Sequence, residues 1–203
     1  ITHFTTTRGV CNLAKRMPSL PDNPQLNHVF KRFPEGMWEL LQFHDIKLRG
    51  ESPLSIAERE LIAAYVSGLN QCGFCYSAHK TLAEVEGVDT GVFDKLLGEP
   101  DEAGVDSKLL PVLHYVKKLT DDPHSVTDAD AEAVYAAGWD EQALFDAVIV
   151  CALFNFMNRL IEGCGVVPRS AKESEQFRKW SEQNRSSADT YRDFARMLGI
   201  AKE

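Results

Sequence analysis

The sequence is short of basic residues. It contains 22 lysines and arginines against 30 aspartates and glutamates, which gives a formal net charge of −8. No dense cluster of lysine and arginine reverses this excess locally. Sequence-independent binding to nucleic acid or to an anionic membrane depends on concentrated positive charge. We therefore expect no nucleic-acid partner and no membrane partner.

Long hydrophobic runs are also missing. The longest uncharged apolar stretch, Ala147 to Asn158, is shorter than the roughly 20 residues that a membrane-spanning helix needs. Apolar residues make up 44% of the chain and charged residues 26%, values that are ordinary for a soluble globular protein. We therefore expect a cytoplasmic protein.

No segment shows a convincing strand-like alternation, whereas helical periodicity recurs along the chain. A length of 203 residues suits one domain with a real core. The pattern predicts an all-α, single-domain bundle of roughly eight helices over residues 25–203, preceded by an extended arm over residues 1–24. The apolar segment after Asp140 predicts the central buried helix, and a last helix is expected at about residues 187–198.

Cysteine is too scarce and too unevenly spaced for a disulfide framework. The chain has an odd number of cysteines, unlike the even sets of small secreted domains. Cys151 lies in an apolar run, which predicts a small buried side chain. Only two are spaced to act together; the five are Cys11, Cys72, Cys75, Cys151 and Cys164.

The stretch CGFCYSAHK contains the residues that can carry chemistry. If a helix begins at Cys72, then Cys75 and His79 lie within roughly 60° of it on the same face. Cys75 and His79 are i, i+4 neighbours, so the imidazole can reach a sulfur directly or through one water. A helix N-terminus also favours the thiolate form of a cysteine.

A thiol pair beside a base is sufficient for redox catalysis, because a thiolate attacks a peroxide or a disulfide and the second thiol can then close a disulfide. Two other interpretations remain open from the residues alone. One is a zinc site, for which this helix offers three ligands and not the usual four. The other is purely structural, with two small packing cysteines and a core histidine.

The segment Glu60 to His79, ELIAAYVSGLNQCGFCYSAH, resembles the signature of the alkylhydroperoxidase AhpD family, within the carboxymuconolactone decarboxylase superfamily. That signature is a glutamate, eleven residues, Cys-x-x-Cys, three residues and a histidine. The later stretch FNFMNRLIEGCGV resembles the "peroxidase-related" branch. The resemblance extends from about Phe33 to Val167 and implies the AhpD-like helical fold.

The resemblance also implies roles. Cys75 would attack the peroxide, Cys72 would resolve the intermediate, and His79 would act as the base in a proton relay with Glu60. Taken from the residues alone, Glu60 is a first-turn carboxylate that the helix N-terminus stabilises. The family would need no metal, flavin or haem, would take electrons from an external dithiol or protein reductant, and would form a homo-oligomer (dimer, trimer or hexamer).

One residue departs from the family pattern. The best-known member has a relay histidine immediately before its second cysteine, where this chain has Phe74. Members without the cysteine pair are decarboxylases, which argues against that chemistry here. The main expectation is therefore a thiol-dependent hydroperoxide reductase that acts on alkyl or hydrogen peroxide. The alternatives are a thiol–disulfide redox adaptor for a partner protein and a zinc-stabilised binding module.

Overall fold

The computed structural model describes residues 16–202, and this part of the chain is helical, with no β-strand. The predicted all-α class is confirmed, with ten α-helices in place of the roughly eight expected. They are α1 (Leu26–Arg32), α2 (Met37–Leu48), α3 (Ile56–Leu69), α4 (Gly73–Val85), α5 (Val92–Lys95), α6 (Leu110–Asp121), α7 (Asp128–Ala136), α8 (Glu141–Cys164), α9 (Ala171–Gln183) and α10 (Thr190–Leu198).

The helix that the sequence did not predict is α9. Its sequence, AKESEQFRKWSEQ, is polar and almost entirely outside the core, with only Ser181 buried. Such a segment lacks the apolar stripe from which helices are recognised. Its start does carry a recognisable signal, because Ser170 and Glu173 form a capping box.

The predicted N-terminal arm is only partly covered, since residues 1–15 lie outside the described residues. From 16 to 24 the chain forms turns and no helix. Leu20 is buried in the core, and the Pro24 carbonyl accepts a hydrogen bond of 3.0 Å from the Val167 amide. This stretch therefore packs along the bundle.

The centre of the bundle is the α3–α4 hairpin packed against α8. Helix α3 begins with the predicted capping box of Ser55 and Glu58 and is buried along nearly its whole length. A tight turn, in which Gln71 has a φ of 57°, joins it to α4. Helix α8 is apolar and long enough to cross a membrane by length and composition, but 56% of its most apolar window is buried inside the bundle. It is the predicted central helix.

Helix α10 is fastened to α2 by one buried carboxylate. Asp45 accepts hydrogen bonds from the backbone amides of Tyr191 and Arg192, at 2.9 and 2.8 Å, and from Arg192 Nε at 3.1 Å. These amides belong to the first turn of α10, where helical backbone donors lack partners within the helix. Asp45 therefore caps a helix that is remote in sequence.

We predict that Asp45→Asn lowers the free energy of unfolding by about 1–3 kcal/mol, because hydrogen bonds to a charged acceptor on buried backbone donors are lost or weakened. Urea denaturation followed by circular dichroism measures the change. The control is Asp193→Asn on the same helix, whose ion pair with Arg196 is about half exposed and should contribute under about 1 kcal/mol. Equal losses in the two variants would contradict the role of Asp45.

Candidate active site

The predicted cysteine–histidine face exists and is buried. Cys72 is the N-cap of α4, Cys75 lies in its first turn, and His79 follows one turn later. Their exposed fractions are 0%, 4% and 7%. The neighbouring α8 supplies Phe154, whose ring meets the His79 imidazole edge to face with centroids 4.3 Å apart. Packing therefore fixes the imidazole plane.

Glu60 reaches this site from the first half of α3. Its Oε2 lies 2.6 Å from His79 Nδ1, and its Oε1 accepts a hydrogen bond of 2.5 Å from Arg49 Nη1. The Glu60 carboxylate is completely buried. The hairpin brings the carboxylate over the imidazole by pairing α3 with α4, which no single-helix projection could indicate.

Arg49 and His79 keep the Glu60 carboxylate ionised. Burial acts to raise the pKa of Glu60, but Arg49 and His79 outweigh it and lower the pKa to about 2. Burial likewise acts to lower the pKa of Arg49, and the Glu60 charge raises it above the ordinary value. An ionised Glu60 can only accept a hydrogen bond, so His79 Nδ1 carries a proton and Nε2 is the nitrogen free to exchange one.

Sequence analysis missed Arg49. It follows the last residue of α2, where it serves as the C-cap and also donates to the Leu48 carbonyl at 3.0 Å. Its guanidinium lies 5.5 Å from the ring centroid of Tyr191 on α10. An arginine at a helix end ordinarily indicates a favourable interaction with the helix dipole. Nothing local in the sequence relates it to a glutamate on the next helix.

The two thiols are unequal. The neighbouring Cys75 thiol lowers the pKa of Cys72, whereas the interaction with Cys72, together with burial, raises the pKa of Cys75. Asn158 on α8 opposes this rise through a hydrogen bond to Cys75. Its amide also donates to Ser67 Oγ at 3.0 Å, and its Oδ1 accepts from Asn70 at 3.0 Å. Asn158 is thus a second site residue that the sequence did not assign.

The pKa shifts favour Cys72 as the thiolate, whereas access to the cavity favours Cys75. A cavity of about 770 Å³ opens beside α4, and both Cys75 and His79 line it. Cys72 is not part of its wall. Phe74, in the position of the family's relay histidine, contributes an apolar ring to the same wall. A molecule that enters the cavity therefore meets the Cys75 sulfur and the imidazole together.

The remaining described cysteines lie apart from this chemistry. Cys151 is buried against α6, with its sulfur 3.3 Å from Thr120 Oγ1, and Cys164 is the last residue of α8. Burial raises the pKa of both. Among residues 16–202, no group of three or more histidine, cysteine, aspartate or glutamate side chains is arranged to hold a metal ion.

His44 is a further buried imidazole beside the site. Sequence analysis assigned it no role, yet it lines the cavity, and its ring centroid lies 5.0 Å from that of Tyr191 with the two planes tilted by 38°. Its Nδ1 donates to the Leu40 carbonyl at 2.7 Å. Burial lowers the pKa of His44 to about 4. The ring is therefore neutral at physiological pH, which leaves Nε2 as an acceptor.

His44 should make the fold acid-sensitive. Its folded pKa lies below the unfolded value, so the unfolded chain binds more protons between pH 6.5 and 4, and stability falls as the pH drops through that window. We expect a loss of up to about 3 kcal/mol from this group. Urea titrations at several pH values should show a flatter dependence for His44→Leu. If the pH dependence of the free energy of unfolding is unchanged in His44→Leu, other groups cause the acid sensitivity.

Comparisons with known proteins agree with the helical fold. Residues 34–99 match the model of the carboxymuconolactone decarboxylase family. A crystal structure described as an uncharacterized peroxidase-related protein from Silicibacter sp. TM1040 is similar with a TM-score of 0.68 and 26% identity, over 75% of this chain and 79% of that chain. A comparison with curated proteins found no match.

A second crystal structure shows the same fold at 22% identity. It is described as an alkylhydroperoxidase AhpD core, an uncharacterized peroxidase-related protein from Ralstonia eutropha JMP134. Its TM-score is 0.67, over 76% of this chain and 79% of that chain. The matched residues 34–99 include Glu60, Cys72, Cys75 and His79. Residues 34–99 are therefore similar to the carboxymuconolactone decarboxylase family, and the fold is similar to that of AhpD-like, peroxidase-related proteins.

Proposed function

We propose that the protein is a thiol-dependent hydroperoxide reductase that cycles through a Cys72–Cys75 disulfide. The observation that carries this proposal is a cysteine and a carboxylate-held imidazole on the wall of one cavity, with a second cysteine directly behind. The family match and the peroxidase-related neighbours support a peroxidase-like role in general. The disulfide cycle and the individual residue roles are our proposal.

In the first step, the Cys75 thiolate attacks the outer oxygen of the hydroperoxide ROOH. A sulfur–oxygen bond forms and the oxygen–oxygen bond breaks, so Cys75 becomes a sulfenic acid and RO⁻ leaves. The leaving oxygen takes a proton and departs as ROH. We propose that His79 carries out both proton transfers, since its Nε2 can accept the thiol proton and then return it to the alkoxide.

In the second step, Cys72 attacks the sulfenic sulfur. The sulfur–sulfur bond forms and the hydroxyl group leaves as water, with the proton that Cys72 gives up. The sum is ROOH plus two thiols giving ROH, water and one disulfide. An external dithiol then returns two electrons by thiol–disulfide exchange, which regenerates both thiols. We propose a dithiol that can enter the cavity as this reductant, either a small molecule or a dithiol group on a flexible arm of a protein.

Glu60 and Arg49 act behind the imidazole. The ionised carboxylate holds the His79 Nδ1 proton in place and stabilises the imidazolium that forms when Nε2 accepts a proton, as the buried carboxylate does in other nucleophile–histidine–carboxylate sites. Arg49 keeps Glu60 ionised without touching the cavity. It is therefore a positioning residue in this proposal.

The burial of both sulfurs supports direct peroxide reduction over a redox adaptor. Exchange with a protein partner requires a sulfur to meet another sulfur in line, and Cys72 and Cys75 expose 0% and 4% of their surface. A small hydroperoxide can enter the cavity without that approach. The fall in the pKa of Cys72 makes it the alternative attacking thiol, so the order of attack has to be measured.

We predict that Cys75→Ser abolishes consumption of cumene hydroperoxide, because the thiol on the cavity wall is lost. Cys72→Ser should react once and stop, leaving a Cys75 sulfenic acid that dimedone traps and mass spectrometry locates. Cys164→Ala, at the end of α8, is the control and should retain turnover. A sulfenic acid on Cys72 in the Cys75→Ser variant would reverse the two roles.

Experiments on the wild-type protein distinguish the peroxidase from the redox adaptor and from the zinc-stabilised binding module. After brief exposure to the peroxide, a Cys72–Cys75 disulfide is expected while Cys151 and Cys164 stay free. A pair that ignores the peroxide but is oxidised by a dithiol–disulfide partner would favour the adaptor. Stoichiometric zinc in protein purified without chelator would favour the binding module.

Glu60→Gln should slow the peroxide reaction by about 100- to 10,000-fold, the range for loss of general acid–base catalysis. The single change also leaves Arg49 buried without a counter-ion, which destabilises the fold. The double variant Glu60→Gln/Arg49→Met removes both charges and should recover stability but not rate. Stopped-flow oxidation of the thiols and urea denaturation measure the two effects separately. A fast, stable double variant would show that Glu60 serves only to neutralise Arg49.

The proposed cycle also bears on where and in what form the protein works. Free thiols and a dithiol reductant suit a reducing compartment, so we propose the cytoplasm.

We further propose self-association, because the rings of Phe145 and Phe156 on α8 are each about half exposed. The two positions are eleven residues apart, about three helical turns, so both rings lie on one face of α8. An exposed apolar face is typical of an interface between chains.

A further inference from the structure

The cavity is much larger than hydrogen peroxide requires. Its volume of about 770 Å³ lies within the range of pockets that hold whole organic ligands. Apart from Cys75 and His79, much of its wall is apolar and comes from α1, α2, α8 and α10, including Phe30, Leu41, Met157, Ile161, Phe194 and Met197. Such a wall favours a substrate with a substantial hydrocarbon body.

One cation interrupts this apolar wall. Among the described residues that line the cavity, Arg169 is the only arginine or lysine. Its guanidinium carbon lies 4.4 Å from the ring centroid of Phe74 and 4.2 Å from that of Phe177. The two rings hold the guanidinium plane in place, because arginine stacks well on aromatic faces. Phe74 precedes Cys75, so the cation lies beside the reactive thiol.

One donor of the Arg169 guanidinium is not used within residues 16–202. Its Nη1 atom is buried and has no hydrogen-bond partner in this part of the chain. A buried guanidinium donor without a partner is unfavourable, and a planar carboxylate is the group whose two oxygens match it. The described contacts therefore leave a place for an anionic group.

The carboxylates that line the cavity, Glu173 and Asp193, are engaged elsewhere. Glu173 lines the cavity, but its Oε2 accepts hydrogen bonds from the Ser170 amide and hydroxyl at 2.8 and 2.6 Å. Asp193, also on the wall, pairs with Arg196 at 2.6 Å. Glu173 reduces the potential around Arg169, but neither carboxylate forms an ion pair with it.

We propose that the cavity binds an organic hydroperoxide that carries a carboxylate, with Arg169 holding the carboxylate and the apolar wall holding the hydrocarbon body. The hydroperoxide end would then lie against Cys75 and His79. This substrate class rests on the proposed peroxidase function, whereas the carboxylate site itself does not. Phe74 takes part by fixing the guanidinium, a role that a smaller polar ring would fill less well.

Binding without reaction tests the site first. Calorimetry at pH 7.5 compares 4-isopropylbenzoate with neutral 4-isopropylbenzamide, which has nearly the same shape. The carboxylate should bind at least about tenfold more tightly, as expected for one charge-assisted bidentate contact. Arg169→Met should remove this preference. Lys172→Met, which removes an exposed cation three residues further on, in the first turn of α9, should keep it. Equal binding of the two ligands to the wild-type protein would overturn the proposal whether or not the variants fold.

Turnover tests the substrate class. The probes are 4-(2-hydroperoxypropan-2-yl)benzoic acid and its neutral methyl ester. The ratio of kcat/KM for the acid to that for the ester should be at least about ten in the wild-type protein and should approach one in Arg169→Met. A ratio of one in the wild type, with both probes consumed, would overturn the substrate class and leave the peroxidase proposal standing. Preferential carboxylate binding without turnover of either probe would overturn the peroxidase proposal, and the substrate class with it, and would leave the carboxylate site standing.

Discussion

The site depends on one buried carboxylate. Glu60 has no exposure to solvent, and taking such a charge out of water is costly unless its oxygens are fully engaged. Arg49 takes one oxygen and His79 takes the other. Each partner comes from a different helix, so the positions of α2, α3 and α4 are all tied to a single charge. The same arrangement determines which nitrogen of His79 holds its proton.

This constraint explains why the surroundings are so heavily packed. Phe154 fixes the imidazole from α8, and Tyr191 on α10 lies over the Arg49 guanidinium. The apolar walls exclude water that would otherwise compete for the Glu60 oxygens and weaken the ion pairs. Packing and charge therefore cooperate, because the aromatic rings keep the local dielectric low and the ion network gives those rings a fixed geometry.

The sequence predicted those features of the site that depend only on the spacing of residues within one helix. The shared face of Cys72, Cys75 and His79 follows from their spacing in α4, and the cap at Ser55 follows from a four-residue pattern. The role of Glu60 was predicted only from the family resemblance, because its partner His79 lies on the neighbouring helix. Arg49, Asn158 and Arg169 could not be found from spacing, because each approaches the site through tertiary packing. Helix α9 was missed because it buries almost nothing.

The link between Asp45 and α10 has a consequence for biosynthesis. The two ends of this hydrogen bond, Asp45 and Tyr191, are 146 residues apart in the chain. Ribosomes add roughly 5–20 residues per second, so Tyr191 is synthesised on the order of ten seconds after Asp45. Until then the cavity lacks the wall that Tyr191 and Phe194 provide. A nascent chain thus carries its cysteine pair for some time without a closed pocket. The enclosed site is completed only when α10, the last of the described helices in chain order, docks onto α2.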